Sequence, residues 1–313
     1  MKNFDKGICC RFIEKPGKIG EFKAAVYSYY ERHGRRFPWR DNTEPWGVLV
    51  SEFMLQQTQT ERVIPYFERW MRRWSRPEAL YAASLEDALS EWVGLGYNRR
   101  CRFLKECALI ITEEYGGRVP AAPEILRSLP GAGAYTAGAI ACFAYNYPSV
   151  FIETNIRAAV IHFFADAPAD SGAAGRGALL VENPRPVSDR DIFSLLEAAL
   201  TGEARENPRL WYWALMDYGA NLKRVQVNPN RKSAHYSKQS KFEGSLRQIR
   251  GGIVRVLTQK GASTLETLET LLRSAAAQEQ NLYRALDGLQ KDSLVCEDHG
   301  VYRIKEAEYE EKR

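Results

Sequence analysis

Nowhere in its 313 residues does the chain carry an apolar run near the roughly 20 residues that a membrane-spanning helix needs. The first ten residues, Met1 to Cys10, hold neither an apolar segment nor a cleavage-like site. The expectation is a cytoplasmic protein, with a bacterial cell as the default. Cysteine is sparse: six residues, at 9, 10, 101, 107, 142 and 296, with none between 143 and 295. Beyond the adjacent Cys9-Cys10 they form no short metal-type spacing. Reduced, mostly buried thiols fit better than a disulfide framework. The alternation that marks strands is also missing through residues 20–222, so the body is expected to be all-α.

What the chain does have is a hydrophobic content of 45% and a net charge of +5, with 44 Lys and Arg against 39 Asp and Glu. The first supports a real core, and the length allows two domains or one domain with an appendage. The second fits a nucleic-acid partner without requiring one.

Helix starts are signalled by Pro45 after Asn42-Thr43-Glu44, by Ser84 with Asp87, and by Ser188 with Asp191. Stops are signalled by Gly94-Leu95-Gly96 and Gly116-Gly117. Val63, Phe67, Trp70 and Trp74 recur at helical spacing and read as core. Residues 165–177, rich in small residues, read as a surface loop. From Leu222 to Phe242 there is no periodicity and no acid, but Lys223, Arg224, Arg231, Lys232, Lys238 and Lys241. This basic connector is either simply solvated or tracks phosphates. Beyond Gly244 helices are expected over about 246–259, 264–274 and 278–291. Two short strands, 293–296 and 300–304, would then flank a turn at Asp298-His299-Gly300. That order suggests a winged-helix-like α/β module. The domain reading is 1–222, a basic linker 223–243, the module 244–305 and a charged tail 306–313.

Two segments carry chemistry. Leu129-Pro130-Gly131-Ala132-Gly133-Ala134-Tyr135-Thr136-Ala137 is a Gly-x-Gly turn opening onto a helix, whose N–H groups suit a phosphate. Taken alone, such a turn can merely close a corner. Val50 to Thr60 sets Glu52 among Val48, Leu49, Phe53 and Leu55, followed by Gln56, Gln57 and Gln59. A glutamate there is either a buried general acid or a cap on a neighbouring helix.

Together these segments resemble the helix-hairpin-helix DNA glycosylases of the endonuclease III superfamily, and within it the MutY-type adenine glycosylases. Phe37-Pro38-Trp39-Arg40, Ser51–Gln59, Val63–Phe67, Trp92–Tyr97, the hairpin and Met216–Ala220 fall in family order. The resemblance spans about residues 22–222 and implies two helical subdomains. It implies base flipping, with Glu52 protonating the departing purine and Glu153 stabilising the sugar cation. Tyr135 and Asn155 would hold the sugar and orient acid and water. Because lyase relatives carry a lysine where Tyr135 stands, a monofunctional enzyme is implied. Gln56, Gln57 and Tyr97 would touch the opposite base and the stack. Leu129, Gly131, Gly133, Thr136, Lys223 and Arg224 would meet the backbone, with a monovalent cation at the hairpin. Arg35, Phe37, Trp39 and Arg40 would stand at the mouth of the base pocket, although Phe37 and Trp39 can equally be core. The implied partner is double-stranded DNA with a mispaired or damaged base, and the protein a nucleoid-associated monomer.

Three features depart from the family. Glu153-Thr154-Asn155 stands where Asp-Gly-Asn is usual, one methylene longer. Lys223 takes the place of the first cysteine of an iron–sulfur cluster, so no cluster and no other cofactor is expected. The C-terminal module is too short and too helical for the usual Nudix-like domain. Two further readings stay open: a thymine or uracil mismatch glycosylase, and a DNA-binding protein with impaired catalysis.

Overall fold

A computed structural model describes residues 16–165, 186–237, 241–272 and 279–306. The chain begins with α1 (Pro16–His33), α2 (Pro38–Asp41), α3 (Pro45–Leu55), α4 (Thr60–Arg73) and α5 (Pro77–Ala82). It continues through α6 (Leu85–Trp92), α7 (Arg99–Tyr115), α8 (Pro123–Ser128), α9 (Ala134–Tyr145) and α10 (Thr154–Ala165). Next come α11 (Asp189–Ala199), α12 (Glu203–Glu206) and α13 (Pro208–Val225), then a 3-10 turn at Pro229–Lys232. The last part holds α14 (Leu246–Lys260), β1 (Ser263–Thr264), α15 (Leu265–Leu272), α16 (Glu279–Lys291), β2 (Val295–Asp298) and β3 (Val301–Ile304). Up to residue 237 the regular secondary structure of the described residues is helical, with one isolated parallel bridge, Val187 to Ser233. None of the described helices is long and apolar enough to cross a membrane.

The helix starts follow local chemistry. Glu44 accepts from the N–H groups of Trp46 and Gly47, Ser84 from that of Asp87, and Ser188 with Asp191 closes a full capping box. Helix α7 stops at Gly116, whose φ of 57° suits a residue without Cβ.

Contacts divide the chain into two compact units, each made of two segments. One comprises residues 1–36 and 141–238. Its core includes Phe22, which meets Phe163, Phe164 and Trp211 at centroid distances of 5.1, 5.2 and 5.7 Å. Helices α10 and α13 pack closely, because a side chain at Gly219 would run into the backbone carbonyl of Asn155.

The other unit comprises residues 37–140 and 239–313. Val63, Phe67, Trp70 and Trp74 are buried there as their spacing implied, and Trp70 meets both Trp74 and Trp92 edge-on. Helix α7 supplies two buried cations to the ends of other helices. Arg100 donates to carbonyls at the end of α3, and Lys105 to those of Leu80, Tyr81 and Ala83 at the end of α5. A cation at a helix C-terminus meets both the orphan carbonyls and the negative end of the dipole.

The C-terminal segment forms a three-stranded antiparallel sheet in the order β1-β3-β2 behind three helices, the winged-helix-like arrangement. His299 and Gly300, with φ of 50° and 78°, make the tight turn of its wing. The two-residue strand β1 occupies the expected start of the second helix, too short for an alternating pattern to show. The expected loop at 165–177 lies outside the described residues beyond Ala165, as do Lys238, Cys9, Cys10 and the tail beyond Glu306.

Candidate active site

Helix α3 is apolar on every side. All residues from Trp46 to Met54 are buried, and Glu52, 3% exposed, is its one acid. A carboxyl group in such surroundings needs a donor. Tyr135, in the first turn of α9, supplies one: its hydroxyl donates to Glu52 Oε2 at 3.0 Å. The structure thus joins the two residues, 83 positions apart, within one unit.

Arg100 holds the end of α3 in place. Its guanidinium donates to the carbonyls of Phe53 and Met54 at 2.8 Å, of Gln56 at 2.6 Å and of Gly96 at 3.0 Å. Burial pushes its pKa down to about 10, which still leaves it charged at neutral pH. This role is invisible to residue patterns, since an arginine in the first turn of a helix reads as solvent-facing. The neighbouring Cys101 and Cys107 are buried, and burial pushes both thiols well up.

The hairpin lies between α8 and α9. Gly131 has a φ of 74°, and a Cβ there would meet the ring of Phe103, so this glycine is dictated by the fold. Gly133 is not: its φ is ordinary, and a Cβ would meet nothing within 4 Å. Its missing side chain keeps the N-terminus of α9 open, the condition for close approach of an anion to the N–H groups of the first turn. Gln56 Nε2 donates to Thr136 Oγ1 at 3.1 Å, tying the glutamine turn to this helix start. Leu129, 3% exposed, anchors the turn in the core. Gln57 and Tyr97 both sit in the left-handed region, at φ of 56° and 51°.

Glu153 and Asn155 belong to the other unit. Glu153 immediately precedes α10 and folds back on it as a cap. Its Oε2 accepts from the Asn155 N–H at 2.8 Å, and its Oε1 from Asn155 Nδ2 at 2.9 Å and Thr154 Oγ1 at 2.6 Å. The cation-stabilising role expected of this carboxylate therefore starts from a group with both oxygens engaged. Asn155 is held from behind by Gly219, which explains a glycine in the Met216–Ala220 block.

Arg35 is paired with Asp217 of that block. The Arg35 N–H donates to Oδ2 at 2.7 Å and its Nε to Oδ1 at 2.8 Å. This buried carboxylate pins α13 to the end of α1. Phe37 and Trp39, each 7% exposed, stack at 5.2 Å, and Trp39 meets Phe67 edge-on. Of the two placements open for them on sequence, the structure takes the core, because each ring already has an aromatic neighbour. Arg40 is buried with its guanidinium 5.0 Å from the Phe37 ring.

The basic segment after α13 differs from a plain connector. Lys223 and Arg224 form the last turn of α13, with Arg224 exposed. The 3-10 turn then buries Pro229 and Asn230, and Asn230 Nδ2 donates to the Thr154 carbonyl at 2.9 Å. The segment thus braces the start of α10, beside Glu153. The segment contains no cysteine, so it offers no thiolate to a four-cysteine cluster.

The model of the HhH-GPD superfamily base excision DNA repair proteins matches residues 50–304. The adenine DNA glycosylase of Mycolicibacterium smegmatis is 36% identical over 284 residues, covering 86% of this chain and 91% of that protein. The thymine-DNA glycosylase of Aeropyrum pernix is 34% identical over 148 residues, covering 46% of this chain and 66% of that one. The solved structure of a thermostable thymine-DNA glycosylase shares the fold, with a TM-score of 0.55 at 21% identity over 70% of this chain and 93% of its own. The chain belongs to the HhH-GPD superfamily of base excision DNA repair proteins.

Proposed function

We propose that this member of the superfamily is a monofunctional DNA glycosylase that hydrolyses the N-glycosidic bond of an adenine facing 8-oxoguanine or guanine. The observation that carries the reading is the buried Glu52 hydrogen-bonded to the half-buried Tyr135. Adenine is a poor leaving group as an anion, so the reaction needs a proton delivered to the base as the bond to C1′ breaks. Glu52 is the donor, and in its ionised form it takes a proton from the attacking water. Tyr135 orients it. A phenol cannot form a Schiff base, so the product is an abasic site in an intact strand.

Glu153 supplies the negative charge that stabilises the sugar cation, and Asn155 orients the reacting groups. The open N-terminus of α9 at Gly133 takes a backbone phosphate, with a monovalent cation as its companion. Lys223 and Arg224 add phosphate contacts without an iron–sulfur cluster. Adenine is favoured over thymine because the relative named for adenine matches 86% of the chain and the one named for thymine 46%.

The test is a panel of duplexes carrying A:8-oxoguanine, A:G, T:G or U:G, scored for strand cleavage before and after alkali. Cleavage only after alkali, and only in the adenine duplexes, is the expected result. Cleavage at T or U would transfer the reading to a pyrimidine glycosylase. Cleavage in none of them would leave a DNA-binding protein without catalysis.

A further inference from the structure

Helix α13 runs out at Val225, and Gln226, Val227 and Asn228 lead from it into the buried turn at Pro229–Lys232. Val225 and Val227 are 63% and 74% exposed, the highest values of any large apolar side chain among the described residues. A single exposed aliphatic side chain is ordinary. Here two of them flank one residue, on a stretch that is tied down from both sides.

The ties are specific. The Gln226 N–H donates to the Leu222 carbonyl at 3.1 Å, and its Nε2 to His162 Nδ1 of α10 at 3.0 Å. Burial first, and the charge of Lys232 second, hold the His162 imidazole below its ordinary pKa. The ring is therefore neutral at neutral pH, the state in which Nδ1 accepts. Beyond the turn, the Val187 N–H donates to the Lys232 carbonyl at 2.9 Å, and the Ala234 N–H to the Val187 carbonyl at 3.0 Å. Gln226 is thus turned onto α10, while the valines on either side of it stand in solvent.

Three properties of this ridge say what it takes. It is aliphatic, and being braced it loses little freedom when covered. It is positive: no acid stands between Asp217 and Glu243, and Arg231 and Lys232 are exposed in the turn. It also has open main chain, since the N–H and carbonyl of Val227 make no hydrogen bond among the described residues. A DNA backbone would engage the cations and leave both valines in water, because phosphates offer no aliphatic group. A peptide with acidic and aliphatic side chains meets all three properties, and its peptide groups supply both a donor and an acceptor for Val227.

We propose that residues 225–228 are a docking ridge for an acidic, aliphatic segment of a partner protein. The segment covers Val225 and Val227, pairs with the main chain of Val227 and sets its carboxylates toward Arg231 and Lys232. This gives the stretch after α13 a part in holding the protein beside another one. Nothing in it depends on which base the protein excises.

The experiment uses the full chain and a short fluorescein-labelled peptide of alternating glutamate and valine, with anisotropy as the readout. Three comparison peptides carry serine for valine, lysine for glutamate, or N-methyl groups that remove main-chain donors. The alternating peptide is expected to bind about tenfold more tightly than the serine and lysine peptides, and about fivefold more tightly than the N-methylated one. Val225→Ser and Val227→Ser are each expected to weaken its binding about tenfold. Lys232→Ala costs about threefold at low salt, a difference that closes as salt is raised. Excision and duplex binding by Val227→Ser stay at the level of the unaltered protein.

Equal binding of the alternating, serine and lysine peptides would overturn the inference whatever the variants did, because that comparison uses the unaltered protein. Full peptide affinity in both Val225→Ser and Val227→Ser would overturn it as well. A loss of duplex affinity in Val227→Ser, with peptide binding unchanged, would make the ridge a DNA contact instead. Peptide binding by a protein that excises no adenine would retain the ridge and overturn the glycosylase reading.

Discussion

The two carboxylates on which the chemistry depends are held in opposite ways. Glu52 is buried in the interior of a wholly apolar helix and takes its hydrogen bond from Tyr135, 83 residues away. Glu153 is half-buried at the start of a helix, and its bonds go to the next two residues. Tertiary structure places the first, and the local backbone places the second. A lone acid in an apolar helix has no structural reason to be there, so its position argues for chemistry. An acid at a helix start already has a stabilising role, so its position alone argues for nothing beyond the cap. The usual aspartate and the observed glutamate both carry an acceptor at that place, which makes the exchange easier to accommodate than a one-methylene shift suggests.

Substituting the buried carboxyl tests that contrast most severely. Glu52→Gln keeps the shape and the acceptor but loses the proton, and single-turnover excision is expected to fall about 10²- to 10⁴-fold with the fold intact. Near-normal rates would remove Glu52 from the mechanism. Next comes the support under it. Arg100→Met leaves the carbonyls of Phe53, Met54 and Gln56 without their shared donor, and stability is expected to drop by about 3 kcal/mol in urea unfolding. An unshifted midpoint would mean that the end of α3 does not rely on this arginine.

Glu153→Gln turns an amide N–H toward donors of the first turn of α10. It should cost about 1–2 kcal/mol of stability as a lost cap. A fall in excision beyond that is the measure of its chemical role, and full single-turnover activity would deny it one. Glu153→Asp should keep both. The smallest effect belongs to Asn230→Ala, expected at about 1 kcal/mol through the lost bond to Thr154. If Asn230→Ala left stability and excision both untouched, the turn after α13 would be no more than a connector.

Much of the architecture was legible because its signals act over a few residues. Glu44, Ser84 and Ser188 cap the helices they precede, and Gly116 ends the one it follows. The helices and wing of the C-terminal module lie within a few residues of their expected places. The missed features are those whose partners are distant. Arg100 looks like any arginine of a helix start until the carbonyls of residues 53 to 56 come to it. The turn at Pro229–Lys232 has no periodicity to reveal it, yet its Asn230 reaches Thr154, 76 residues back. Phe37 and Trp39 could be core or pocket on sequence, and their mutual stacking decided for the core.

By itself, the sequence determined what depends on residue identity and near neighbours. A phenol rather than an amine stands at position 135, no thiol lies between residues 143 and 295, and the helix caps stand where they do. Tertiary structure alone decided which groups meet. It buried Glu52 against Tyr135 and turned Glu153 onto its own helix. The reason is physical: a cap or a missing ligand is a property of a short stretch of chain. A buried acid and its donor are brought together by the packing of many side chains far apart in sequence.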